Sequence, residues 1–193
     1  YLMAKRGLSI DALYFHAYPF TSDEARDKVI DLAGSIAEYH GGMRLWIASF
    51  TDAQLAIKKH SPASEHTLHM RYAMVEAANM IAQRVRASCL ITGESLSQVA
   101  SQTVESLNYT NSASYLPIFR PLIGMDKEEI ITLARTIGTY DTSILPYDDC
   151  CTLFSPKHPL VKPDREEVTR SYRDIGLTEL LEASAQQAQL VRI

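Results

Sequence analysis

The chain has 193 residues, of which 46% are apolar and 22% charged, and its net charge is −4. That length suits one domain with a sizeable core, and that balance excludes a globally basic nucleic-acid-binding surface, though not a local basic patch. No apolar run reaches the ~20 residues that cross a bilayer, residues 1–7 are not a signal peptide, and three cysteines do not make a secreted disulfide framework, so a cytoplasmic home is expected.

Residues 1–7 (YLMAKRG) have the character of the last turns of a helix, with cations near the end and a glycine stop. Apolar at residue 1, with neither a cap nor an initiator methionine, the chain reads as a fragment whose upstream strand and loop lie outside it. Residues 8–16 (LSIDALYFH) predict a strand. Ser22 or Thr21 then caps a helix to about residue 39, with Val29, Ile30, Leu32, Ala33, Ile36 and Ala37 at helical spacing. After Gly41-Gly42, residues 43–50 predict a second strand and 52–59 a short helix. Ser61-Pro62 suits the cap and first position of a long helix to about residue 86, apolar on most sides over 73–82. A short strand over 88–92, a helix over 96–107 and a strand over 115–119 follow. Within 121–138, Asp126 and Glu129 form a capping box for the next helix. Residues 139–163 carry neither period, and helices over 165–173 and 177–191 close the chain. Strands alternating with helices predict a doubly wound, mostly parallel α/β sheet, whose ligands bind beyond the carboxyl ends of the strands.

Three loops fall at those ends. Residues 14–22 (YFHAYPFTS) offer rings that could stack on a base and a helix start that could bind an anion, although Phe15 and Phe20 would serve equally as core. In residues 92–103 (TGESLSQVASQT), Gly93 lets a ligand approach the backbone, and Gln98 and Gln102 share a helical face able to bond a base or ribose. Plain helix capping also explains Ser95 and Ser97.

The third loop holds Asp148-Asp149-Cys150-Cys151 with Lys157-His158 downstream. An aperiodic connection this long is functional or disordered. Lys157 or His158 would favour a thiolate, and Asp148 and Asp149 oppose it. The adjacent cysteines lack zinc-site spacing and, with His158, supply too few ligands, so thiol chemistry is favoured and no tightly bound metal is expected. Cys89, in an apolar strand, reads as an inert core thiol. Arg71, in the apolar long helix, lies on a solvated face or reaches a phosphate.

Residues 92–103, 120–127 (RPLIGMDK), 149–152 (DCCT) and 156–159 (PKHP), with the turn at 19–22 (PFTS), resemble in identity and order the ATP-pyrophosphatase (PP-loop) domain of ThiI. That family comprises the tRNA 4-thiouridine synthetases, also called tRNA sulfurtransferases, and the resemblance spans nearly the whole chain. It implies an adenine-nucleotide alpha-hydrolase-like α/β domain over residues 1–193, truncated at its start, with the cysteine loop at about 139–163 and C-terminal helices at about 164–191. The implied activity is adenylation of uridine 8 of tRNA by ATP with Mg, then replacement of the activated oxygen by persulfide sulfur. In some bacteria the same family relays sulfur to the thiazole of thiamine. Carried over by motif, the ATP contacts are Tyr14, Phe15, Arg71, Gly93 and Gln102, and the catalytic thiols are Cys150 and, less strongly supported, Cys151.

The implied partners are tRNA, gripped by ferredoxin-like and THUMP regions outside these residues, a cysteine desulfurase or other persulfide donor, and the thiamine sulfur-carrier protein. A homodimer is compatible with this, and no membrane is involved. The family's SGGxDS phosphate loop, expected just before Tyr1, is not among these residues, so the chain alone should hold a nucleotide weakly. Among other PP-loop enzymes, a tRNA 2-thiouridylase or a GMP-synthetase-like partner is disfavoured by the SQVASQ run. A non-catalytic thiol or metal-binding module is the alternative from another class.

Overall fold

A computed structural model of the chain describes residues 1–39, 41–147, 156 and 158–193. Cys150 and Cys151 lie outside the described residues. The expected alternation is present: α1 (Leu2–Lys5), β1 (Asp11–His16), α2 (Asp23–Ala37), β2 (Arg44–Ser49), α3 (Thr51–His60) and α4 (His66–Val85) open the chain. They are followed by β3 (Leu90–Ile91), α5 (Val104–Asn111), β4 (Ile118–Phe119), α6 (Lys127–Thr136), α7 (Tyr140–Ser143), α8 (Arg165–Ile175), α9 (Thr178–Gln186) and β5 (Gln189–Arg192). β1 and β2 pair in parallel, as do β3 and β4, and β5 joins the far edge of β2 antiparallel. Among the described residues these form two sheets, ordered β1-β2-β5 and β3-β4.

Period-two alternation in β2 builds the layers. Leu45 and Ile47 turn toward Ala33 and Ala37 of α2, while Trp46 and Ala48 turn toward Ile81 of α4 and Ala185 of α9. Burying Leu45 or Ile47 contributes about 2 kcal/mol each, and a one-residue slip would exchange the two faces, so packing fixes the register. A further cluster, including Phe50, Ile57, Ala73, Ala77, Tyr172 and Leu181, fastens α3, α4, α8 and α9 together. Local signals set the helix ends. Ser22, rather than Thr21, caps α2 by accepting from the Ala25 amide at 3.3 Å, while Thr21 closes the preceding turn by accepting from the Ala17 amide at 3.1 Å. Asp126 and Glu129 form the expected capping box, at 2.9 and 2.8 Å.

Four expectations are corrected. Residues 189–192 are a strand, not the end of the last helix: Ile193 and Met43 exchange backbone hydrogen bonds at 2.9 and 3.0 Å, and β5 pairs the outer edge of β2. An unpaired sheet edge is a stronger demand than one more helical turn. Residues 96–103 are not α-helical: Ser97 has a φ of 62°, its amide donates to the Gln102 carbonyl at 2.9 Å, only Ala100–Gln102 form a single 3-10 turn, and α5 starts after Thr103. Gln98 and Gln102 therefore do not share a helical face. Ser61 serves the end of α3 by donating to the Ile57 carbonyl at 2.7 Å, and a 3-10 turn over Ala63–Glu65 separates Pro62 from α4. Cys89 precedes the two-residue β3 and is only half-buried.

Candidate functional site

The carboxyl ends of β3 and β4 are joined by charge. Glu94, just past β3, is 4% exposed, and both of its oxygens are engaged. Arg71, reaching from α4, donates to Oε1. Thr92 donates to Oε2 at 2.8 Å, and Arg120, just past β4, donates to the same oxygen at 2.6 Å. Arg120 also donates to Asn111 Oδ1 at 3.2 Å. Burial alone would raise the Glu94 carboxyl, but the Arg71 charge, with the Thr92, Arg120 and Arg71 hydrogen bonds, outweighs it and holds the group below the ordinary carboxylate value. One carboxylate held between two guanidiniums leaves the cluster with a surplus positive charge.

Gly93 stands beside this cluster. A Cβ there would meet nothing closer than Leu122 Cδ1 at 4.0 Å, and the residue does not adopt a positive φ. Neither crowding nor backbone conformation within the chain requires glycine, so the open space in front of its backbone is what the residue provides. The 94–103 turn is pinned from below: Ser95 donates to the Met125 carbonyl at 2.6 Å, and the Leu96 amide donates to that of Ile123 at 3.0 Å. Half-buried Gln102 closes the turn through its backbone.

Arg71, Gly93 and Gln102 are thus brought to one strand end, whereas Tyr14 and Phe15 belong to the other sheet. Tyr14 packs into the cluster under α2, and the Phe15 ring lies 4.9 Å from that of Phe50, so both side chains serve the core. Phe20 and Tyr18 are the exposed aromatics of that loop. Sequence reasoning missed the roles of Glu94 and Arg120. The available signal was a lone charge within three residues of the end of each of two short apolar strands, acidic after one and basic after the other.

A second polar cluster lies under α5 and α8. His69, fully buried, donates from Nε2 to Glu65 at 2.9 Å and accepts at Nδ1 from the Tyr109 hydroxyl at 3.0 Å, while Ser171 donates to Glu65 at 2.6 Å. Burial pushes the imidazole down; Glu65 opposes this and the neighbouring His66 assists it. The folded value therefore lies below 6.5, and in the window beneath 6.5 the unfolded chain binds the proton more readily. The stabilisation from neutral His69 is complete above that value and is lost as pH falls through it. Urea unfolding at pH 7.5 and 5.5 should show a loss of stability in the wild type that His69→Asn largely removes; equal slopes would refute the assignment.

A buried carboxylate holding two guanidiniums beside an unobstructed glycine, at the strand ends of an α/β protein, has the chemistry to receive a phosphate-bearing ligand. The family model described as thiamine biosynthesis protein (ThiI) matches residues 1–177, and the chain belongs to that family. A probable tRNA sulfurtransferase of Treponema pallidum subsp. pallidum is 51% identical over 193 residues, covering 100% of this chain and 48% of that protein. Another, from Caldanaerobacter subterraneus subsp. tengcongensis, is 55% identical over 168 residues, covering 87% and 44%. The crystal structure of a 4-thiouridine synthetase–RNA complex with bound ATP matches with a TM-score of 0.92 at 36% identity, over 98% of this chain and 50% of that one. The α/β fold expected from the sequence is thus that of a 4-thiouridine synthetase domain. The chain spans about half the length of these relatives.

Proposed function

We propose that residues 1–193 are the nucleotide-binding domain of an ATP-dependent tRNA sulfurtransferase, working in the cytoplasm, that adenylates uridine 8 of tRNA and supports persulfide transfer to give 4-thiouridine. The observation that carries this reading is the Arg71–Glu94–Arg120 cluster beside open Gly93, at the end of β3 where such folds bind nucleotides. The relatives' names and the ATP and RNA bound in the structural neighbour support it.

In this reading Arg71 binds a phosphate of ATP through its fork of donors, and Gly93 offers backbone at close range. Gln102, held by the 94–103 turn, bonds the base or ribose. At the end of β1, Tyr14 and Phe15 contribute backbone groups, since their side chains are committed to the core. Mg would be carried in on the triphosphate.

Chemistry then proceeds in two stages. The base oxygen attacks the α-phosphorus and pyrophosphate leaves; sulfur next displaces AMP from the activated carbon. A thiol of the Cys150/Cys151 pair delivers that sulfur, or resolves the persulfide by forming a disulfide. The sulfur comes from a cysteine desulfurase or other persulfide donor. Relay to a thiamine sulfur carrier and homodimer formation belong to the same proposal. Arg71→Ala in the full-length protein tests the nucleotide site: the KM for ATP should rise about tenfold or more while the fold survives by circular dichroism. An unchanged KM would remove Arg71 from the site.

A further inference from the structure

One face of α5, turned toward the start of α8, borders a shallow cleft of about 360 Å3 that the nucleotide reading leaves unused. Val104, Asn108 and Asn111 fall on that face by helical spacing, and Arg120 and Arg165 bring two guanidiniums to it. Among the described residues no carboxylate lines the cleft, in a chain whose net charge is −4. Exposed acids occur nearby in sequence, at Glu105, Asp164 and Glu166, but none is part of the lining.

The two arginines differ in a useful way. Arg120 is preset: Glu94 holds its Nε and Asn111 accepts from its Nη1. Glu94 also neutralises part of Arg71, so its single charge does not cancel Arg120. Arg165, in the first turn of α8, has no hydrogen bond or ion pair among the described residues and is exposed. The amides that would otherwise bind an anion at that helix start are taken: Asp164 accepts from those of Glu166 and Glu167 at 2.9 and 3.0 Å. Anion binding there depends on the guanidinium.

We infer that this cleft docks a phosphodiester of the RNA strand, beside the nucleotide site rather than within it; the inference rests on the sulfurtransferase reading. A small anion in so open a cleft would stay largely hydrated. A polynucleotide instead places phosphate between Arg120 and Arg165, ribose hydroxyls against Asn108 and Asn111, and an apolar sugar or base face on Val104, which is 64% exposed. Arg120 connects the two regions, because Glu94 binds it and the nucleotide-site Arg71 together. RNA held there lies next to the activating ATP.

The test uses the full-length protein and unmodified tRNA. Arg165→Ala should weaken tRNA binding about fivefold and lower the slope of log Kd against log salt by about one, with the KM for ATP unchanged. Arg165→Lys, which keeps the charge, should recover part of the affinity and most of the slope. A wild-type tRNA affinity and slope in Arg165→Ala would overturn the inference. So would a matching rise in the KM for ATP, which would assign the cleft to the nucleotide. If the wild-type protein neither binds tRNA nor forms 4-thiouridine, the functional reading falls, and this inference with it.

Discussion

Glu94→Ala should be among the most damaging single substitutions in this domain. Removing the carboxylate leaves Arg71 and Arg120 facing each other, with side chains only 22% and 15% exposed, and nothing between them. Breaking a largely buried ion pair from one side costs about 3 kcal/mol or more, because the stranded charge keeps its desolvation penalty. The three elements that meet at Glu94, namely α4, the end of β3 and the end of β4, lose their common anchor, so nucleotide binding should fall with stability. Glu94→Gln keeps the shape and some acceptor capacity and should be milder. The wild-type contribution follows the carboxylate: it is present above the ordinary value of 4.5 and lost as pH falls through the lowered folded value. Urea unfolding of the three proteins, with ATP titration alongside, checks this; wild-type stability in Glu94→Ala would refute it.

Cys150→Ser should end 4-thiouridine formation in the full-length enzyme by on the order of 10³-fold or more, the scale seen when a reacting nucleophile is removed. A serine hydroxyl neither carries persulfide sulfur nor forms a disulfide, whereas adenylation needs neither. Pyrophosphate release should therefore persist while the thiolated nucleoside disappears from digests of the tRNA. Normal 4-thiouridine in the variant would dismiss this cysteine. Cys151→Ser, assayed the same way, separates the roles of the two neighbours.

Where a local rule sufficed, the chain could be read directly. The Asp126/Glu129 box, a cap at Ser22 or Thr21 and a strand over residues 43–50 each require only a few neighbours, and the box, the cap at Ser22 and the strand are found in place. Reading failed where a distant partner outbid local preference. Residues 96–103 look helical until Ser95 and Leu96 are tied to the loop after β4, and residues 189–192 look like a helix end until β2 presents its edge. The site divides likewise. The motifs singled out Arg71, Gly93 and Gln102, which the fold places at one strand end. The role of Glu94 was not legible, because a carboxylate's importance here comes from two arginines, 23 and 26 residues away in the chain.

By itself the sequence determined the α/β class, the order of its elements and, through motifs spread over nearly all of the chain, its family. Only the tertiary structure decided that one buried carboxylate ties two arginines into a single cationic centre, and that β5 finishes the sheet in place of a longer helix. The physical reason is range. Caps and periodicities act over one helical turn or a few strand residues, whereas ion pairs and sheet edges choose partners that the chain's path alone brings within reach.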